Sequence, residues 1–172
     1  AEEYAFLTPL YRKRRSGVSD RLLELLKAMK GDKLGYQVDC NTNSLQSATR
    51  AESDGADEET VVCALLHDLG DVIARDNHSE VIASILRPYI SEKNHRVLKH
   101  HGFFQGYYYF HHIGGDRNTR ERYKYNPFYQ DCVDFCEKWD QTSFDPDYPT
   151  QPLEYFEPIV RKVFKAPKNT WE

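Results

Sequence analysis

The chain lacks any apolar run approaching the roughly 20 residues needed to cross a bilayer, and its first residues carry neither region of a secretory signal. A cytoplasmic location and no membrane partner are therefore expected. Positive charge is not in excess: 23 Lys and Arg stand against 27 Asp and Glu, a net charge of −4. The electrostatic footprint of a nucleic-acid binder is missing, so no nucleic-acid partner is expected. Four cysteines, Cys40, Cys63, Cys132 and Cys136, form no Cys-x-x-Cys pair. They read as reduced cytosolic thiols or small core residues. Strand-length alternation, internal repeats and low-complexity tracts are also absent.

What is present is helical periodicity in a chain of 172 residues, 40% hydrophobic and 29% charged, which suits one soluble globular core. Ser19 or Asp20 can cap a helix with Leu22, Leu23, Leu25, Leu26 and Met29 on one face, stopped by Gly31. A second pattern runs from Asn43 to about Ser53 and ends at Gly55. A third starts at a capping Asp57 and carries Val61, Val62, Ala64, Leu65 and Leu66, a stretch apolar on most sides and therefore buried. Further helices are expected from about His78 to Leu86, from Ser91 into Phe103 to Phe110 before Gly114 and Gly115, from Pro127 through Trp139, and from Pro152 through Phe164. The expected fold is all-α, an irregular helical bundle in a single domain over 1–172. Residues 1–18 form an N-terminal extension, turn-rich from Thr8, whose Arg12-Lys13-Arg14-Arg15 run reads as solvated surface. Residues 116–126 read as a basic, aromatic loop or short helix.

His67 and Asp68 fall at the end of the most apolar helix, and a charge there needs a partner because desolvating it alone is very costly. Imidazole and carboxylate together suit a divalent first-row metal, and a carboxylate can bridge two of them. The alternative is an Asp that bonds backbone groups near Gly70. Three more donors fall on expected helices: His78, His101 and Asp140. Each has a plainer reading, His78 as a first-turn surface residue and Asp140 as a cap for the following loop. Of His100 and His101, one should face inward and the other outward.

The order His-Asp, His, His, Asp resembles the HD-domain superfamily. So do Ser44-Leu45-Gln46-Ser47-Ala48, Gly55-Ala56-Asp57, Ala64-Leu65-Leu66-His67-Asp68-Leu69-Gly70 and Trp139-Asp140. Within it the chain is similar to the small mixed-valence di-iron oxygenases, a group that includes a 2-amino-1-hydroxyethylphosphonate-cleaving enzyme and, more distantly, myo-inositol oxygenase. The resemblance implies that Asp68 bridges two irons, Fe(II)/Fe(III), with His67 and Asp140 on the first and His78 and His101 on the second. The pattern has a histidine where this chain has Asn43, a neutral and weaker ligand for iron. A lysine and an arginine of the phosphonate-cleaving relative are here Gln105 and Glu137. Arg117, Arg120, Arg122 or Lys124 are the expected replacements for an anion clamp.

Tyr108, in the run Gly106 to Phe110, is expected at the site, either as core or as part of an aromatic box for a quaternary ammonium group. Tyr36 and Asp39 stand where relatives gate the second iron, and Asp68, Asp71 and His100 are the candidate catalytic groups. The implied activity is an iron-dependent oxygenase that uses O2 to cleave a bond at the hydroxyl-bearing carbon of a small substrate, a 1-hydroxy-organophosphonate. An HD-type phosphohydrolase and a catalytically impaired metal- or ligand-binding relative are the alternatives. A small-molecule substrate and a monomer or homodimer complete the expectation.

Overall fold

A computed structural model describes residues 2–31, 33 and 35–169, without the side chains of Glu2, Arg12, Arg15 and Ser16. Among the described residues there is no strand, and no helix is long and apolar enough to cross a membrane. The all-α expectation therefore holds.

Helix α1 (Glu2–Ser16) is continuous through Pro9, where a turn-rich segment was expected from Thr8. The Thr8 hydroxyl donates to the Tyr4 carbonyl at 2.7 Å, occupying one acceptor in the turn beside the proline. Tyr4, Phe6, Leu10 and Tyr11 stay exposed, and none of the described side chains of α1 joins the buried core. Of the basic run, Lys13 and Arg14 are exposed, while Arg12 and Arg15 lie outside the described side chains. Helix α2 (Val18–Ala28) follows Gly17 and so begins before the expected caps, Ser19 and Asp20. Ser19 is buried with Leu22, Leu23 and Leu26, and Asp20 instead bonds Arg161. Gly31, at φ +89°, ends the segment in the left-handed region as expected.

Helix α3 (Cys40–Ser53) starts three residues before the expected Asn43 because Asp39 caps it, accepting the Thr42 N–H at 2.7 Å. The other Asp39 oxygen accepts the Gly31 N–H at 2.8 Å, which joins the end of the α2 segment to the start of α3. Asp57 caps α4 (Glu58–Leu66), whose residues from Val61 to Leu66 are all buried. Two short 3-10 turns, Leu69–Val72 and Arg75–Asn77, lead into α5 (His78–Leu86). Helix α6 (Glu92–Tyr109) is capped by Ser91 and packs along α5.

The segment expected to be a loop or short helix is a 3-10 run, Arg117–Tyr123, laid against α6. Helix α7 (Tyr129–Phe135) passes directly into a wide π turn, Cys136–Asp140, closed by Gln141 N–H donating to the Cys136 carbonyl at 2.8 Å. Helix α8 (Leu153–Val163) buries Leu153, Phe156, Val160 and Val163 over α2 and α4. One apolar cluster joins α2 to α8 through Leu23, Leu65, Leu98, Phe104 and Phe156.

Two glycines let the site close. A Cβ on Gly70 would lie 2.2 Å from the His78 carbonyl oxygen, and one on Gly102 would lie 2.6 Å from Ser79 Oγ and 3.0 Å from His78 Nε2. Both positions bring the start of α5 against its neighbours more closely than any side chain permits. Gly70→Ala is expected to destabilise the protein by about 1–3 kcal/mol through backbone displacement. Thermal unfolding should show a lower midpoint, and an unchanged midpoint would mean that α5 is not held this tightly.

Candidate metal centre

His67 is the C-terminal cap of α4 and has 0% of its surface exposed. Its Nδ1 meets the Ala64 carbonyl at 2.8 Å, three residues upstream. The same arrangement recurs at His78 with the Arg75 carbonyl (2.9 Å) and at His101 with the Leu98 carbonyl (2.7 Å). A carbonyl only accepts, so each of these bonds requires the proton on Nδ1 and leaves Nε2 as an acceptor, which at His78 lies 3.1 Å from the Ser79 hydroxyl. A backbone partner that orients the ring in this way is the usual support of a metal-binding histidine.

All three Nε2 atoms converge on one carboxylate. Asp68 Oδ2 lies 3.2 Å from His67 Nε2, while Oδ1 lies 3.2 Å from His101 Nε2 and 3.6 Å from His78 Nε2. Asp140, presented by the π turn, approaches His67 Nε2 at 3.6 Å through Oδ1. Donor atoms of His67, Asp68 and His101 lie within 4.8 Å of one another. The three rings meet edge to face, with centroids 5.1 Å apart for His67–His101 and for His78–His101.

This arrangement has too many lone pairs and too few protons. A bare Nε2 facing a carboxylate oxygen at 3.2 Å is repulsive unless a cation or a proton lies between them. Burial alone pulls the His67 imidazolium down, but the Asp68 and Asp140 carboxylates outweigh it and raise its pKa well above 6.5. Burial likewise pushes Asp68 up, and His67 and His101 more than reverse it. His67 Nε2 and Asn43 Oδ1 are buried with no hydrogen-bond partner among the described residues. These orphaned acceptors, and a donor set of imidazole, carboxylate and amide oxygen, fit a first-row divalent cation.

Asn43, 2% exposed on α3, donates Nδ2 to the Ser143 carbonyl at 3.1 Å, so its free oxygen is the atom left for a ligand. The loop after the π turn is tied to α3 at neighbouring points: Ser47 Oγ donates to the Trp139 carbonyl (3.3 Å), and Trp139 Nε1 donates to Asp54 (2.8 Å).

Above the donors lies a cleft of about 870 Å³. Asp68, His78, His101, Asp140 and Asn43 line it, with His67 beneath them. Of the remaining candidates, Tyr36, Asp39, Asp71, Gln105 and Tyr108 also line it. Tyr36 lies tilted against Phe144 with centroids 4.6 Å apart, and Gln105 bonds Gln141 at 2.9 Å. Asp39 is chiefly a helix cap: partial burial raises its carboxyl, but hydrogen bonds from Thr42 and Gly31 more than offset this. Burial and the neighbouring Asp68 raise the Asp71 carboxyl, whose Oδ1 lies 3.2 Å from His78 Nδ1.

Five candidates are not brought to the cleft. His100 is stacked on Phe128 (4.6 Å) and tilted against Tyr123, and it does not line the cleft. Arg117 and Arg120 lie over the Tyr107 ring at 4.1 and 3.6 Å, and Lys124 lies beside Tyr125 at 5.7 Å. Arg122 covers Phe103 in the same way. The ring–cation contacts of this aromatic run are thus made by the chain's own arginines. Arg75 and Lys99, which sequence reasoning passed over, are the cations among the described lining residues. The available signal was their place three residues before His78 and two before His101.

The HD domain family matches residues 24–142, a span that includes all of these donors and Asn43. The chain belongs to the HD domain family, whose members are in general metal-dependent enzymes of hydrolase type. No curated protein matches the chain.

Proton and metal compete for the same lone pairs, which sets the sign of the pH dependence. The raised His67 pKa gives stability that is fully present below 6.5 and lost as pH rises through the elevated value. The lowered Asp68 pKa gives stability present above 3.8 and lost as pH falls through the depressed value. Metal-free protein should therefore lose stability toward alkaline pH, and the rise in Tm on adding Mn2+ should be larger at about pH 8 than at about pH 6. Thermal scans at both pH values check this, and a pH-independent increment would exclude the imidazoles as ligands.

Proposed function

We propose that this HD domain is an oxygenase with a dinuclear iron centre, acting at the hydroxyl-bearing carbon of a small oxyanionic substrate such as a 1-hydroxy-organophosphonate. The observation that carries it is the division of Asp68, with Oδ2 toward His67 and Oδ1 toward His101 and His78. A carboxylate so placed would suit two cations, of which His67, Asp140 and Asn43 would hold one and His78 and His101 the other. When bound, such a pair supplies Lewis acidity toward a substrate hydroxyl and electrons toward O2.

The chain's own groups supply the rest. The Ala64, Arg75 and Leu98 carbonyls keep each imidazole in its ligating tautomer. Phe103, Tyr109, Phe110 and Phe144 line the cleft with rings that limit water around the reacting carbon. Asp71, raised by burial and by Asp68, is the group suited to hold a proton beside the second metal.

A metal-dependent phosphohydrolase is the second reading, favoured by the HD family match and by cations in the cleft that suit a phosphate ester equally. Metal analysis and oxygen uptake separate the two. Protein reconstituted anaerobically with ferrous iron is expected to hold two irons per chain and to consume O2 with a 1-hydroxy-organophosphonate. Asp68→Asn should lose both properties. Asn43→His, supplying a stronger donor, should raise iron retention and oxygen uptake. Turnover of a phosphate ester under Mn2+ without oxygen would replace the oxygenase with the hydrolase, and one metal or none would favour a ligand-binding relative.

A further inference from the structure

The cleft is electrostatically lopsided. Asp39, Asp68, Asp71, Asp76, Glu80 and Asp140 line it, against Arg75 and Lys99. An anionic ligand meets repulsion along most of the wall, and any metals offset that only at the donors. Lys99 is already held by Glu80 at 3.3 Å. Arg75, exposed on the 3-10 turn before α5, makes no ion-pair contact among the described residues.

We infer that Arg75 is the specificity-determining residue that recognises a phosphorus oxyanion, phosphonate or phosphate, on the ligand of this cleft, with Lys99 in support. The inference rests on the cleft being the substrate site proposed above. The Arg75 carbonyl holds His78 Nδ1 at 2.9 Å, so the guanidinium and a metal donor are carried by the same short segment. Arg75 lines the same cleft as the donors Asp68 and His78 and as the rings of Tyr109 and Phe110 at the end of α6. A guanidinium offers a planar fork of donors that matches two oxygens of a phosphorus oxyanion. The arginines of the 117–123 run have no such freedom, because Arg117 and Arg120 lie on Tyr107 and Arg122 lies on Phe103.

Calorimetric titration of methylphosphonate and methyl phosphate into the full chain, with and without Mn2+, tests the assignment. Arg75→Ala is expected to weaken binding by about 10- to 100-fold. Arg75→Lys should weaken it less, since an ammonium keeps the charge but loses the fork. Arg117→Ala and Lys124→Ala should stay within about twofold of the parent, as surface cations outside the cleft do. Because His78 is held by the backbone carbonyl, metal content should not change in the Arg75 variants. Unchanged affinity in both Arg75→Ala and Arg75→Gln overturns the assignment, as does an equal loss in Arg117→Ala. Preference for methylphosphonate points to a phosphonate and preference for methyl phosphate to an ester, and either supports an oxyanion site at Arg75. Oxygen uptake is not read in this experiment. Failure of the oxygenase reading therefore leaves the assignment standing, and failure of the assignment leaves that reading standing.

Discussion

The contact on which this structure turns is a carboxylate surrounded by imidazole nitrogens at the floor of a cleft, where the His67 and His101 rings are buried and Asp68 keeps only partial access to water. Asp68 lies within 3.6 Å of three Nε2 atoms, one of them on a fully buried ring. With each Nδ1 proton committed to a carbonyl, these nitrogens present lone pairs to a negative charge. Only protons or cations make that arrangement tenable in a medium of low dielectric. Without a cation between them, the Asp68 and Asp140 carboxylates favour a proton on His67 and raise its pKa. Metal binding and proton release are thus two descriptions of one exchange at this site.

The surrounding helices aim those groups. His67 ends α4, His78 begins α5 and His101 lies within α6, and each ring is held by the carbonyl three residues upstream. The ring direction is therefore set by the backbone of its own turn, and the meeting of the rings is set by how the helices pack. Gly70 and Gly102 allow that packing to be close enough. The π turn adds one residue to the backbone ring just before Asp140, a widening that is frequent at functional sites. Ser47, Trp139 and Ser143 then tie this turn to α3, so Asn43 and Asp140 move as one wall of the site.

Charge outside the donors divides into two uses. The arginines of the 117–123 run cover aromatic faces of α6, where they gain cation–π attraction and shield rings from water. Arg75 and Lys99 instead face a cleft whose other charged side chains are acidic. A ligand that satisfies this surface carries a small oxyanion at one end and presents a polar group to the donors, whichever reaction the HD centre performs.

Much of this was determined by the sequence alone, because it is written in residues close together along the chain. The caps at Asp57 and Ser91, the proline before α8, the apolar stretch of α4 and the all-helical class depend on contacts within a few residues. The donor types at positions 67, 68, 78, 101 and 140 were legible for the same reason, as was the amide at 43. Tertiary structure decided where segments meet. That His100 packs on Phe128 while His101 meets Asp68, and that Arg75 rather than Arg117 or Arg120 reaches the cleft, depend on partners far away in the chain. Helical periodicity specifies which face of a segment is apolar. It carries no term for which other segment covers that face, and that choice brought the HD pair together with His78, His101 and Asp140.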